Sequence, residues 1–145
     1  MKRLLTTLIV ALAATTAAYS QKGLHIASIF DGEYRKKTNV TEVEIKGMRL
    51  IKYDLTLFRS ITVANDPAIA AKIESLVKAD GKSATDRETG IKGGRLYYAI
   101  YSFRKSDGSY RYILFRNNLL IKGKETTIVY MEGDATLPEL KKMFK

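Results

Sequence analysis

Apolar residues recur along the chain with two periods, and the switches between them divide it into elements. Over Val40–Lys46, Thr41, Val43 and Ile45 alternate with Glu42, Glu44 and Lys46, the two-residue period of a strand with one dry and one wet face. Gly47 ends that run. From Met48 to Val63 the odd positions Tyr53, Leu55, Leu57, Ile61 and Val63 continue a strand pattern, with Arg59 interrupting its apolar face. Either a bulge near Phe58–Ser60 turns Arg59 outward, or its stem packs while its head reaches water. The period then becomes helical. Asp66-Pro67 supplies an acidic N-cap and a proline where a missing N–H costs nothing. Ile69, Ile73, Leu76 and Val77 form one stripe, and Asp80-Gly81 closes the helix with a glycine able to turn left-handed. Lys72, Glu74 and Lys78 are assigned to its solvated face.

Gly81–Gly94 (GKSATDRETGIKGG) breaks both periods and reads as a long loop, of the kind that is mobile or functional. Arg95–Glu132 follows as an antiparallel meander, broken at Asp107-Gly108, Asn117-Asn118 and Gly123. A two-residue turn at Asp107-Gly108 would set Phe103 opposite Tyr112, Tyr101 opposite Leu114 and Arg104 opposite Arg111; a three-residue loop would shift this register by one. Ile128 and Tyr130 fall on one side of the last strand, Val129 and Met131 on the other, so that strand is covered on both faces. Thr136-Leu137-Pro138-Glu139 is a capping box opening a helix whose stripe is Leu137, Leu140, Met143 and Phe144. Lys141, Lys142 and Lys145 suit the negative end of that helix. A short helix is expected within Gln21–Tyr34, ended near Asp31-Gly32, with Arg35-Lys36-Lys37 as a basic loop. The fold class is therefore α+β: an antiparallel sheet of about five strands with two main helices packed on one face, in the order α-β-β-α-β-β-β-α.

The N-terminus stands apart. Met1-Lys2-Arg3 is basic, Leu4–Ala18 carries no charge, and Ala18-Tyr19-Ser20 places small residues where a signal peptidase reads. About fifteen apolar residues are too few to span roughly 30 Å of hydrocarbon as a helix. Residues 1–20 are therefore expected to be a signal peptide, cut between Ser20 and Gln21, and 21–145 a single α+β domain that is periplasmic or extracellular and not membrane-spanning. The chain has no cysteine, which excludes a lipid-modified cysteine and disulfides. Stability must come from a packed core, and about 125 residues suffice for one.

Charge narrows the partners. Of 25 Lys and Arg residues against 15 Asp and Glu, Lys2 and Arg3 leave with the leader, so the formal +10 becomes +8. Such a balance favours anionic partners. Export removes nucleic acid from the candidates and leaves an anionic envelope component (lipid head groups, lipopolysaccharide phosphates, acidic glycans) or a protein. The alternative is that the charge serves solubility alone.

Several stretches carry a resemblance: the short segment with Ile29-Phe30 before the first strand, Val40-Thr41-Glu42-Val43-Glu44-Ile45 with Leu55-Thr56-Leu57-Phe58, the mid-chain helix, and Ile128-Val129-Tyr130-Met131-Glu132-Gly133-Asp134 before a leucine-rich helix. Together they resemble a family of small exported proteins of unknown function from Bacteroides-like bacteria. The resemblance covers nearly the whole chain after the leader. It implies an α+β fold and a cell-envelope location, and supplies no catalytic residues.

Motifs for chemistry are sparse. Gly81-Lys82-Ser83 lacks the earlier glycine of a phosphate loop, since Leu76 stands there. Asp80, Asp86 and Glu88 lack the spacing of a calcium loop. His25 is the only histidine, so a histidine metal cluster or a Ser-His-Asp triad would have to be built around it. Glu42/Glu44 and Asp86/Glu88 have the spacing of neighbours on one strand face, and among lysines they read as solvated. No cofactor is implied. What remains is a set of tyrosines (Tyr97, Tyr98, Tyr101, Tyr110, Tyr112) interleaved with Arg95, Arg104, Arg111 and Arg116. That pairing of stacking area with fork-shaped donors suits sugars, phosphates or peptide surfaces, unless the tyrosines are simply good sheet residues. Arg95, Arg104, Arg111, Tyr98 and Lys92 are the candidate contact residues. The reading is a non-enzymatic envelope protein that binds an anionic ligand or a protein through a basic, tyrosine-rich sheet edge and the 81–94 loop. A hydrolase or inhibitor-like accessory with a carboxylate site is the alternative.

Overall fold

The computed structural model describes residues 23–143. The expected signal peptide and Phe144 of the C-terminal stripe lie outside the described residues. The chain runs from a 3-10 turn at His25–Phe30 into β1 (Val40–Lys46), a second 3-10 turn at Gly47–Tyr53, β2 (Leu55–Ala64) and helix α1 (Pro67–Gly81). Then come β3 (Asp86–Lys92), β4 (Arg95–Arg104), β5 (Tyr110–Asn117), a 3-10 turn at Asn118–Leu120, β6 (Glu125–Gly133) and helix α2 (Leu137–Met143). All six strands form one antiparallel sheet in the order β1-β2-β6-β5-β4-β3. The β3–β6 meander doubles back so that β6 pairs with β2, which explains why β6 is apolar on both faces.

The sheet carries a core on each side. On the first face Leu57, Ile61 and Val63 of β2, Ala99, Tyr101 and Phe103 of β4, Ile113 and Phe115 of β5, and Ile128 and Tyr130 of β6 meet Ile69, Ile73 and Val77 of α1. The first 3-10 turn adds Ile26, Ile29 and Phe30 to the same layer. On the second face Ile100, Tyr112, Leu114, Val129 and Met131 pack with Leu140 of α2, and with Leu50 and Leu55 beside the second 3-10 turn. Among the described residues the two helices thus lie on opposite faces, not on one, and there are six strands, not about five. The missed strand is β3, inside the stretch read as a loop. Gly93 and Gly94, at φ +59° and +77°, form the two-residue turn that folds β3 back on β4, a conformation open to glycine at both positions.

Five further departures have local causes. Lys105 N–H bonds to the Ser109 carbonyl across Ser106-Asp107-Gly108, with Gly108 at φ +89°. This three-residue loop sets Tyr101 opposite Ile113, Ser102 opposite Tyr112, Phe103 opposite Arg111 and Arg104 opposite Tyr110. Arg104 and Arg111 are therefore not opposed, and Tyr112 lies on the face away from Tyr101. Gly81 is not a left-handed cap: it belongs to α1, where a Cβ would come within 2.5 Å of the Tyr101 ring. The short N-terminal helix is a 3-10 turn. Glu74 is not on the solvated face of α1 but buried there, because Arg95 from the start of β4 lies against it. In β1 the dry and wet faces are not as expected: Val43 is 40% exposed, while Glu42 is half-buried against Arg59. β1 is an edge strand, paired on one side only.

The helix starts follow their sequences. The Asp66 carboxylate accepts the Ile69 N–H at 3.0 Å, and Thr136 Oγ1 donates to Glu139 Oε1 at 3.1 Å within the capping box. At the other end of α1, the buried Asp80 carboxylate accepts the N–H groups of His25 at 2.6 Å and Ile26 at 2.9 Å. His25 Nδ1 lies 2.9 Å from it, so the only histidine belongs to the clasp that holds the N-terminal turn on α1. Arg59 resolves its ambiguity without a bulge. Its stem is buried on the first face, its guanidinium donates to the Phe30 carbonyl at 2.9 Å and to Glu42 at 3.3 Å, and it lies over the Phe30 ring.

Candidate functional site

The antiparallel register lines up one residue from each strand in cross-strand rows, and two adjacent rows on the second face form a trough. One runs Val43–Ser60–Val129–Leu114–Ile100–Glu88 from β1 to β3; the next runs Thr41–Thr62–Thr127–Arg116–Tyr98–Gly90. The third row, which includes Met131 and Tyr112, carries the α2 contact. Small side chains at Ser60 and Thr127 leave the floor low. The resulting cavity is about 560 Å³, lined by Phe58, Ser60, Ile100, Leu114, Thr127 and Val129 below and by Glu88, Tyr98, Arg116, Asn118 and Lys141 around it. That volume is in the range of small-molecule sites, and so is an apolar floor with a few polar groups converging on it.

Charge at the trough is concentrated at the β3–β4–β5 end. Lys141, half-buried on α2, ion-pairs with Glu88 of β3, and that hydrogen bond raises its pKa. The Arg116 guanidinium lies 5.8 Å from the centre of the Tyr98 ring. Among the described residues no carboxylate is within ion-pairing distance of Arg116. The Tyr98 phenol is pushed above its ordinary pKa by burial first and by Glu88 second, so it is a neutral hydroxyl at physiological pH. Two cations against one carboxylate leave this end net positive. A bound molecule would meet an apolar floor, one neutral phenol and one guanidinium whose five donors are available to an anion.

The five candidate contact residues lie at several places on the sheet. Arg95 sits on the first face and is bound to Glu74, with nitrogen–oxygen distances of 2.9–3.2 Å. Arg111 is also on the first face, where its Nε donates to the Tyr130 hydroxyl at 2.9 Å. Arg104 is exposed near the Ser106-Asp107-Gly108 turn, its N–H bonded to Thr85. Lys92 is exposed at the far end of β3. Only Tyr98 lines the trough. Phe58, Ser60, Thr127 and Lys141 were missed because their meeting depends on strand order, and Lys141 was read as a helix-end cation. Arg116 carried a signal as one of the interleaved arginines. Of the carboxylate pairs, Glu42 is held by Arg35 and Arg59 on the first face and does not line the trough.

Fold and site together define a small α+β protein with a single antiparallel sheet and an open, one-sided trough. The chain matches the family of unknown function DUF6108 over residues 13–144 and belongs to it. No curated protein and no solved structure matches it. Among the described residues no helix is long and apolar enough to cross a membrane, and no group of three or more His, Asp or Glu side chains is placed to hold a metal ion.

Proposed function

We propose that this protein is an exported, non-enzymatic binding module whose trough takes a small amphiphilic anion, a molecule with an apolar body and a carboxylate, sulfonate or phosphate head. The observation that carries the reading is the placement of Arg116, with no carboxylate against it among the described residues, at one end of a mostly apolar floor. The body would lie along Phe58, Leu114 and Val129, where each buried methylene contributes about 0.8 kcal/mol. The head would meet Arg116 and Lys141, and the Tyr98 hydroxyl stands ready as a further donor. Export rests on the basic start, the uncharged Leu4–Ala18 run and the small residues before Gln21.

The test is a titration with 1-anilinonaphthalene-8-sulfonate, whose fluorescence rises in apolar sites. Saturable binding by the folded protein is expected. Arg116→Gln weakens it about tenfold, as loss of one charge-assisted contact should. Ser60→Phe, which fills the floor and leaves the charged end alone, abolishes it. Binding that survives both substitutions would place the ligand elsewhere and end this reading.

A further inference from the structure

The second 3-10 turn, Gly47–Tyr53, presents a surface that the trough does not use. A 3-10 helix has three residues per turn, so side chains three apart eclipse one another and the turn divides into three rows. Leu50 faces inward and is 4% exposed, packed with Leu55 in the second-face core. Met48 and Ile51 form the next row and stand 84% and 63% exposed, the two most exposed large apolar side chains among the described residues. Arg49 and Lys52 form the third row, both exposed, with no carboxylate at ion-pairing distance among the described residues. Tyr53 is 40% exposed at the end of the turn, with Lys52 Nζ 5.0 Å from its ring centre. Just before the turn, Lys46 pairs with Glu44.

Gly47–Tyr53 joins two adjacent strands at one end of the sheet, the end where β6 finishes at Gly133. We infer that this tip is a membrane-surface anchor: Met48 and Ile51 enter the headgroup–acyl boundary of an anionic bilayer while Arg49 and Lys52 bind lipid phosphates. Three observations select a bilayer over a protein. Two projecting side chains are far less than the roughly 800 Å² per partner that a stable protein interface buries. The apolar row has cations on its flank and a tyrosine at its end, the arrangement that suits a boundary with oil on one side and phosphate on the other. The chain as a whole is basic, so an anionic surface attracts it from a distance. This inference does not depend on the trough being a ligand site.

The chain contains no tryptophan, so a single one placed at the tip reports without background. In the full chain, Met48→Trp is expected to shift its emission to the blue on vesicles of phosphatidylcholine mixed with phosphatidylglycerol, and not on phosphatidylcholine alone. Ile121→Trp, at the opposite end of the sheet beyond the 3-10 turn Asn118–Leu120, should stay unshifted. Adding Ile51→Ser to Met48→Trp should weaken the vesicle-induced shift at least tenfold in lipid concentration, and Arg49→Gln with Lys52→Gln about thirtyfold, with the melting temperature of each variant unchanged. An unshifted tip tryptophan on anionic vesicles would overturn the inference. So would concentration-dependent self-association that Met48→Ser with Ile51→Ser removes, because that would assign the tip to a second copy of this chain.

Discussion

The two faces of the sheet are built from the same strands yet finished differently. Six strands spaced about 4.8 Å apart make a sheet roughly 24 Å wide. Helix α1, with 15 residues, packs on side chains from β2, β4, β5 and β6 of the first face, helped by the 3-10 turn that Asp80 pins to it. Helix α2 has 7 described residues and leaves the trough beside Leu114 and Val129 open on the second. Charge follows coverage. On the first face Arg59 is matched by Glu42 and Arg95 by Glu74. On the second, Arg116 faces the trough with a tyrosine ring beside it. A short covering helix leaves a concavity, and a polar group left over that concavity gives it a preferred ligand.

The comparison breaks most readily at the core. Ile73→Ala, under the sealed face, should cost about 2–5 kcal/mol in urea unfolding, and Leu114→Ala, on the trough floor, should fall at or below the low end of that range because the trough already exposes part of its surroundings. Equal costs would mean that the second face is as well covered as the first.

Alkaline pH should sharpen the contrast next. Burial raises the Tyr112 phenol to about 12, and it raises Tyr101 and Tyr130 as well. An unfolded tyrosine ionises near 10, so the folded state holds the proton longer. The stability this contributes is complete below about pH 10 and is lost as pH rises toward 12. The melting temperature should fall across that window. Tyr112→Phe removes its share of the fall, together with the hydrogen bond its hydroxyl donates to the Ala135 carbonyl, which ties the second face to the start of α2.

The smallest effect expected is at the trough's end. The Lys141–Glu88 pair is solvent-exposed and screened, so Lys141→Ala should barely move the melting temperature. It should nevertheless weaken anilinonaphthalenesulfonate binding several-fold. A large loss of stability with unchanged binding would make Lys141 a structural strut.

Periodicity was enough to locate β1, β2, α1 and α2, although it assigned the faces of β1 wrongly, and a run apolar on both faces located β6. It missed β3, whose Asp86, Arg87, Glu88 and Lys92 are charged on both faces, as an edge strand can be when no helix covers it. The Gly93-Gly94 turn was the available signal. Register was one residue out because Asp107-Gly108 fits a two-residue turn as well as the three-residue loop that forms. The trough was not legible at all: Ser60, Leu114, Tyr98 and Lys141 become neighbours only once β6 returns to β2, and no local pattern encodes that return.

That return also sets the order in which the chain can become a protein. The β1–β2 pair leaves the ribosome early, but the inner neighbour of β2 is the last strand to be made. Until Gly133 has been synthesised, Ile61 and Val63 have no sheet to join, and Arg59 lacks the row opposite Tyr130. Bringing β6 back over so long a separation costs loop-closure entropy that only the completed pairing repays. The inner sheet therefore cannot close on β2 until β6 exists.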